Sequence, residues 1–244
     1  MNGFIYKILK QFKGEFRLLL WMTVMFTAVG AGLAFLIKSA GEMSAADISN
    51  VTTMELCSVI LSFITLSTLY MSVFKVDEKT AWTNFALSVP KGMKKLLSQK
   101  YIFILILYTA SLLYWLLIDR AAINILDGNK KASTTTLLSV YAFELIVAAV
   151  TIPFLVRFGT KIGAAIKTAI VTILMAVVVI YVLFGDISFF MKKNVFVRIL
   201  EFLSRDDLYV YVIIFTVSAI VLFGISYLIS LKLYRKGASE LGMS

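Results

Sequence analysis

The sequence predicts an all-α membrane protein with six transmembrane helices. Three observations carry that expectation. Hydrophobic residues make up 60% of the 244 and charged residues only 16%, with a mean hydropathy of +0.92, far from the balance of a water-soluble domain. Six apolar runs approach the roughly 20 residues that a helix needs to cross the hydrocarbon. Lysine and arginine concentrate in the short connections between those runs, a distribution set by membrane topology rather than by a nucleic-acid surface.

The first element, Phe4 to Arg17, is amphipathic. At 100° per residue Phe4, Ile5, Ile8, Leu9, Phe12 and Phe16 share one arc, and Lys7, Lys10, Lys13 and Arg17 lie opposite. Such a helix is expected in the membrane interface, its rings in the acyl boundary and its lysines toward anionic headgroups. Spans follow at Leu18 to Ile37, Leu56 to Phe74, Tyr101 to Ile118, Leu137 to Val156, Thr168 to Phe184 and Leu208 to Leu231. The first is too long for the core of a signal peptide and is read as a span. The fifth is the shortest, and Lys167 is expected to snorkel from its end.

Counted across these spans, sixteen of the 24 lysines and arginines fall on the side that holds both termini and eight on the other. The positive-inside tendency therefore predicts cytoplasmic termini. No connection exceeds about 26 residues, too little for a separate soluble domain, so residues 1–244 read as one membrane domain.

Two connections carry helical patterns of their own. Between the second and third spans, in "FALSVPKGMKKLLSQKY", Ser88 suits a helix cap and Pro90 the first turn. Met93, Leu96 and Leu97 then face away from Lys91, Lys94 and Lys95, predicting a short cytoplasmic helix that runs into the third span. In the loop Gly185 to Asp207, Val195, Phe196, Ile199, Leu200 and Leu203 recur at helical spacing, as short helices against the outer leaflet would.

Polar residues inside spans are few. Glu144 lies near the middle of the fourth, where an ionisable group is costly and is expected to face protein or water; a hydrogen-bonded packing role and a functional one both remain open. Ser58, Ser62, Thr65 and Ser72 fall near one face of the second span, as packing hydroxyls do. Ala28 with Gly32, and Gly159 with Gly163, are weak small-residue pairs, and Pro153 predicts a kink near the end of the fourth span.

Catalytic signatures do not appear. The sequence has no histidine and one cysteine, Cys57, which removes the commonest general base, cysteine metal clusters and any intrachain disulfide. A phosphate-binding G-x-x-x-x-G-K-[ST] loop, H-E-x-x-H, G-x-S-x-G and EF-hand patterns are all missing from the sequence, so ATP binding by that route, proteolysis and esterase chemistry are unsupported. The expectation is a non-enzyme that binds no cofactor.

The stretch "NFALSVPKGMKKLLSQKYI" resembles the first cytoplasmic loop of ABC-2 type permeases, the membrane subunits of many bacterial ABC exporters. Leu87, Pro90, Lys91, Lys94 and Lys95 precede a Lys100-Tyr101 pair that opens the third span. The six spans, amphipathic amino-terminal helix and basic tail agree with it over nearly the whole length. The resemblance implies a half-transporter in a bacterial plasma membrane, paired with a second permease and two ATPase subunits that hold ATP and Mg. It assigns the ATPase contact to Ser88, Pro90, Lys91, Met93, Lys94, Lys95 and Leu97, and a second contact to Arg157 and Lys161. The connecting helix would carry Phe4, Lys7, Ile8, Lys10, Phe12 and Lys13. Few charges inside the spans suit a hydrophobic or amphipathic cargo such as a peptide toxin or antimicrobial peptide. Alternatives are a membrane scaffold or immunity protein, and a proton-coupled carrier using Glu144.

Overall fold

A computed structural model describes residues 13–39, 45–79, 92–128, 130, 132–184 and 208–240. They form five long helices: α1, Lys13–Ser39; α2, Ala45–Lys79; α3, Gly92–Ile125; α4, Thr134–Phe184; and α5, Tyr209–Glu240. No strand occurs among the described residues. All five are long and apolar enough to cross a membrane, as a chain in lipid must be when every backbone amide needs a partner within its own segment.

The core is built by α2, α3 and α4. On α3, Leu97, Tyr101, Ile104, Tyr108, Leu112 and Trp115 recur every three or four residues and are all buried. They form one stripe along the helix. Val59, Phe63, Leu66 and Tyr70 of α2 pack on it, with Leu137, Tyr141, Leu145, Ala148 and Ile152 of α4. Phe63 stacks on Tyr108 at 5.8 Å between ring centres. The outer faces carry large apolar side chains, among them Trp21, Met25, Phe35, Leu117 and Tyr211, which in a multi-pass protein meet lipid tails.

Because hydrocarbon provides no water, hydroxyls satisfy themselves inside their own helices. Thr52, Ser58, Thr65, Ser139, Thr151 and Thr216 each donate to the carbonyl four residues earlier, at 2.7 to 2.9 Å, a bond that withdraws the group from competition for partners. Of the second-span hydroxyls, Ser58 and Thr65 are thus held within α2.

Helix α4 contains both the fourth and fifth expected spans, and it reverses between them. The backbone leaves helical geometry at Gly159, with φ 84° and ψ 174°, a region open essentially to glycine alone. A Cβ on Gly163 would stand 2.3 Å from Leu155 Cδ2 and 3.2 Å from Leu155 Cα. In a straight helix eight residues separate those positions by about 12 Å, so the two arms of α4 fold back on one another. The break falls at Gly159, six residues after the buried Pro153 at which the sequence predicts a kink. By contrast, a Cβ on Gly32 of α1 would meet nothing within 4 Å, so that small-residue pair makes no close approach.

At the opposite end α3 closes in a paired-bond cap. Asp127 N–H donates to Asn124 and Gly128 N–H to Ile123, at 3.3 and 2.9 Å, with Asp127 left-handed at φ 53°. This is the double-bonded termination by which a helix satisfies its last carbonyls.

The helix that starts before Tyr101 is continuous with the third span: α3 runs unbroken from Gly92 to Ile125. The caps Ser88 and Pro90, Lys91, the amino-terminal residues Phe4, Lys7, Ile8, Lys10 and Phe12, and the loop 185–207 lie outside the described residues, as do the side chains of Met93 and Lys13.

Candidate functional site

Three constellations of polar groups interrupt the apolar bundle. The first is the end of the molecule at Gly159. Lys94 and Lys95 are exposed at the start of α3, whereas Leu96 and Leu97 beside them are buried. The helix therefore turns a basic face outward and roots an apolar face in the core. Helices α3 and α4 run antiparallel: Asp119 meets Ser133, Thr109 meets Tyr141, and Tyr101 is linked through Ser226 to Ala149. That register brings Lys94 and Lys95 level with Arg157. Arg157 is half-buried with its guanidinium 6.0 Å from the centre of the Phe158 ring, and Lys161 is exposed just past the reversal.

The Lys100-Tyr101 pair ties this end together. Lys100 Nζ sits 4.1 Å over the Phe74 ring of α2. Tyr101 hydroxyl lies 2.9 Å from Ser226 Oγ and 2.7 Å from Ser230 Oγ on α5, and Ser226 donates to the Ala149 carbonyl of α4 at 2.6 Å. One tyrosine thus connects α3 to α5 and, through Ser226, to α4. Interhelical hydrogen bonds in membranes contribute about 0.6 kcal/mol each on average, so Tyr101→Phe is expected to destabilise the protein by roughly 1 kcal/mol. Thermal unfolding in detergent reads that as a small drop in midpoint, while Phe preserves the ring contacts with Phe223 and Tyr227 at 5.0 and 5.4 Å.

The second constellation lies midway along the bundle. Glu144 and Lys167, on the two arms of α4, line a cavity of about 800 Å³ shared with Ser67 and Met71 of α2 and Phe215 of α5. Lys167 donates to Ser67 Oγ and stands 5.7 Å over the Tyr70 ring, and the Glu144 carboxylate faces the same ammonium and the Tyr108 hydroxyl. Glu144 Oε2 and the Tyr70 and Tyr108 hydroxyls are buried without a well-formed hydrogen bond among the described residues. Lys167 therefore does not snorkel outward as the sequence predicts. The reversal at Gly159 turns it inward, where the Glu144 charge and Ser67 compensate its desolvation better than a lone lysine in hydrocarbon.

The third constellation is at the far end. Lys130, in the connection between α3 and α4, is buried between two carboxylates, 2.5 Å from Glu55 Oε2 of α2 and bonded to Asp119 Oδ1 of α3. Ser133 N–H donates to both Asp119 oxygens, at 3.3 and 3.1 Å. Nearer the surface Lys38 and Asp127 form an ion pair at 2.9 Å. Sequence reasoning counted Lys130 only as a topological charge and passed over both acids. Ser67 was likewise missed beside the second-span hydroxyls singled out.

Among the described residues no three His, Cys, Asp or Glu side chains are grouped to hold a metal ion. What the geometry provides is a rooted basic surface at one end, a polar cavity at mid-depth and a clamped connection at the other. Comparison with curated proteins gives no match, and comparison with solved structures gives none either. Residues 8–235 match the family described as ABC-2 family transporter protein. That match spans nearly the whole chain, with α1 to α4, most of α5 and the three polar constellations, and the chain belongs to the ABC-2 transporter family.

Proposed function

We propose that this protein is the permease subunit of an ATP-driven exporter, a single membrane domain over residues 1–244 in a bacterial plasma membrane with both termini cytoplasmic. In this reading it crosses the membrane six times, the arm 160–184 of α4 forming the fifth crossing. It pairs with a second permease and two ATPase subunits, which hold ATP and Mg, and carries out a hydrophobic or amphipathic cargo such as a peptide toxin or antimicrobial peptide. The observation that carries the reading is α3. A helix whose first turn exposes Lys94 and Lys95 and buries Leu96 and Leu97, and which is tied by Tyr101 to α5 and through it to α4, transmits force applied at its lysines into the whole bundle. Membership of the family supports an ATPase partner as the source of that force.

Coupling requires that the partner bind one membrane state better than the other. The Gly159 end, with Arg157 and Lys161 level with the start of α3, provides a second contact for that partner; the amino-terminal helix, with Lys7, Lys10 and Lys13, provides the connecting element. Purification from the native membrane in mild detergent is expected to retain an ATPase with a phosphate-binding loop. Recovery of the chain alone, with its phenotype intact when the neighbouring ATPase gene is inactivated, would favour the scaffold or immunity reading.

A second reading, proton-coupled transport, is favoured by one observation: the carboxylate and ammonium of Glu144 and Lys167 face each other in the mid-depth cavity. The ATP-driven account expects Glu144→Gln to leave transport dependent on ATP and indifferent to collapse of the proton gradient. It expects at most a few-fold change in rate, since the substitution keeps shape and removes one charge. Abolished transport in Glu144→Gln, together with sensitivity to an uncoupler, would establish the carrier instead.

A further inference from the structure

The mid-depth cavity opens in one direction. Ile60 and Ile64 of α2, Phe143 and Val171 on the two arms of α4 and Phe215 of α5 line it, and all five are 39 to 47% exposed. In a chain that spans a membrane such surfaces meet hydrocarbon, so the cavity opens sideways into the bilayer. Its volume of about 800 Å³ lies within the range of small-molecule sites.

The polar groups of its wall differ in what they have left to offer. Ser139 and Thr168 donate to the Thr135 and Ala164 carbonyls of their own helix, at 2.8 and 3.0 Å, which uses the one proton each hydroxyl carries. Lys167 has three N–H groups. Ser67 accepts from one of them, and the Tyr70 ring, 5.7 Å from Nζ, is a weak electrostatic partner. Glu144 acts on the ammonium as a counter-charge, while its own Oε2 is closed off inside the protein. The half-buried Lys167 is therefore a donor with capacity to spare whose charge is already balanced.

That combination discriminates among ligands. Spare N–H groups take an acceptor oxygen. A carboxylate, phosphate or sulfonate would add a net negative charge to a neutral site, and a charge without a counter-charge is costly at this depth. The carbonyl of an ester or amide accepts the same bond and adds no charge. Phospholipid ester carbonyls stay with their headgroups in the interface, outside the hydrocarbon core, whereas Lys167 and Glu144 lie midway along the bundle.

We infer that the mid-depth cavity is a lateral binding site for an uncharged, carbonyl-bearing amphiphile that enters from the bilayer. Its carbonyl oxygen accepts from Lys167, and its aliphatic chain lies against Ile64, Val171 and Phe215. Calling this ligand the cargo rests on the permease reading; its binding needs no ATPase, so the two can fail separately.

The test uses the full chain, without ATPase, in nanodiscs of ether-linked phosphatidylcholine, which bring no carbonyl of their own. Saturable binding of radiolabelled methyl dodecanoate, dodecanesulfonate and dodecane is measured against empty nanodiscs. The ester is expected to bind at least about tenfold tighter than dodecane, the increment of a hydrogen bond to a charged group, and tighter than the sulfonate. Lys167→Met is expected to bring the ester down to the level of dodecane. Val171→Trp, which fills the mouth of the cavity and leaves both charges in place, is expected to abolish saturable ester binding. Glu144→Gln, which leaves Lys167 without its counter-charge, is expected to favour the sulfonate over the ester, a reversal that a packing role for the pair does not produce. Ester binding no tighter than dodecane in the unaltered protein, ester binding unchanged in Val171→Trp, or an unreversed order in Glu144→Gln would overturn the assignment, even if Lys167→Met fails to fold.

Discussion

Lys130→Met is expected to be among the most destabilising single substitutions in this protein, at about 3–5 kcal/mol. Lys130 is the counter-charge that lets Glu55 and Asp119 remain buried, with side-chain exposures of 6% and 1%. Met keeps the length and most of the volume of the lysine stem but removes the ammonium, leaving two acids close together in a low dielectric. The cost arises from that stranded pair more than from the lost attraction. It follows that a triple change, Glu55→Gln with Asp119→Asn and Lys130→Met, is expected to recover most of the loss, since replacing all members of a buried ionic cluster is often close to neutral. Chemical denaturation in detergent or bicelles measures both. A Lys130→Met protein of unaltered stability would mean that the clamp contributes nothing to holding α2, α3 and the connection before α4 together.

The second large effect is expected at the reversal of α4. Gly159→Ala places a Cβ at φ 84° and ψ 174°, a conformation that costs an L-residue about 1–3 kcal/mol. Gly163→Val adds a steric conflict, because its first side-chain carbon would stand 2.3 Å from a terminal carbon of Leu155 and 3.2 Å from its Cα. The Leu155 side chain can swing away; its backbone cannot, so the two arms must separate. Lys167 then loses its alignment with Ser67 and Glu144, leaving a cation in the bundle without its partners. The double variant is expected to lower the unfolding midpoint strongly. It is also expected to expose Lys167 to amine-specific labelling that the unaltered protein resists. Gly14→Ala, at an exposed position where a Cβ meets nothing within 4 Å, is the control and is expected to change neither.

Much of this was legible in the sequence, and the rest was hidden for identifiable reasons. Apolar run length predicted six spans, and these fall within five long helices, the fourth and fifth sharing α4, because a backbone in lipid must be satisfied locally and leaves a continuous signature. The same criterion cut the spans short. Placing the second at Leu56 and ending the third at Ile118 left Glu55 and Asp119 each one residue outside, so two buried acids were passed over. Real helices run past the apolar stretch, as α2 does by beginning at Ala45, and tertiary contact decides whether an acid near the end faces water or protein. Lys167 was misread for a related reason: its direction depends on the fold-back at Gly159, and a small-residue pair four positions apart does not reveal a positive φ. Glu144 was visible as an acid in mid-span, but the Lys167 it faces lies 23 residues away on the returning arm. The basic surface was legible at Lys94, Lys95 and Leu97, whose exposed and buried sides follow the projected helix.

The proposed function rests on coupling between a partner ATPase and the bundle through the start of α3. The most direct measurement is ATP hydrolysis by the partner ATPase reconstituted with this chain in proteoliposomes, comparing the unaltered permease with Lys94→Glu and Lys95→Glu combined. Both lysines are exposed, so the bundle is expected to insert and fold as before. The account predicts that stimulation of hydrolysis by the permease and its cargo falls at least about tenfold, as expected when like charge replaces complementary charge across an interface. Stimulation equal to that of the unaltered chain, with the same amount of ATPase bound, would contradict it.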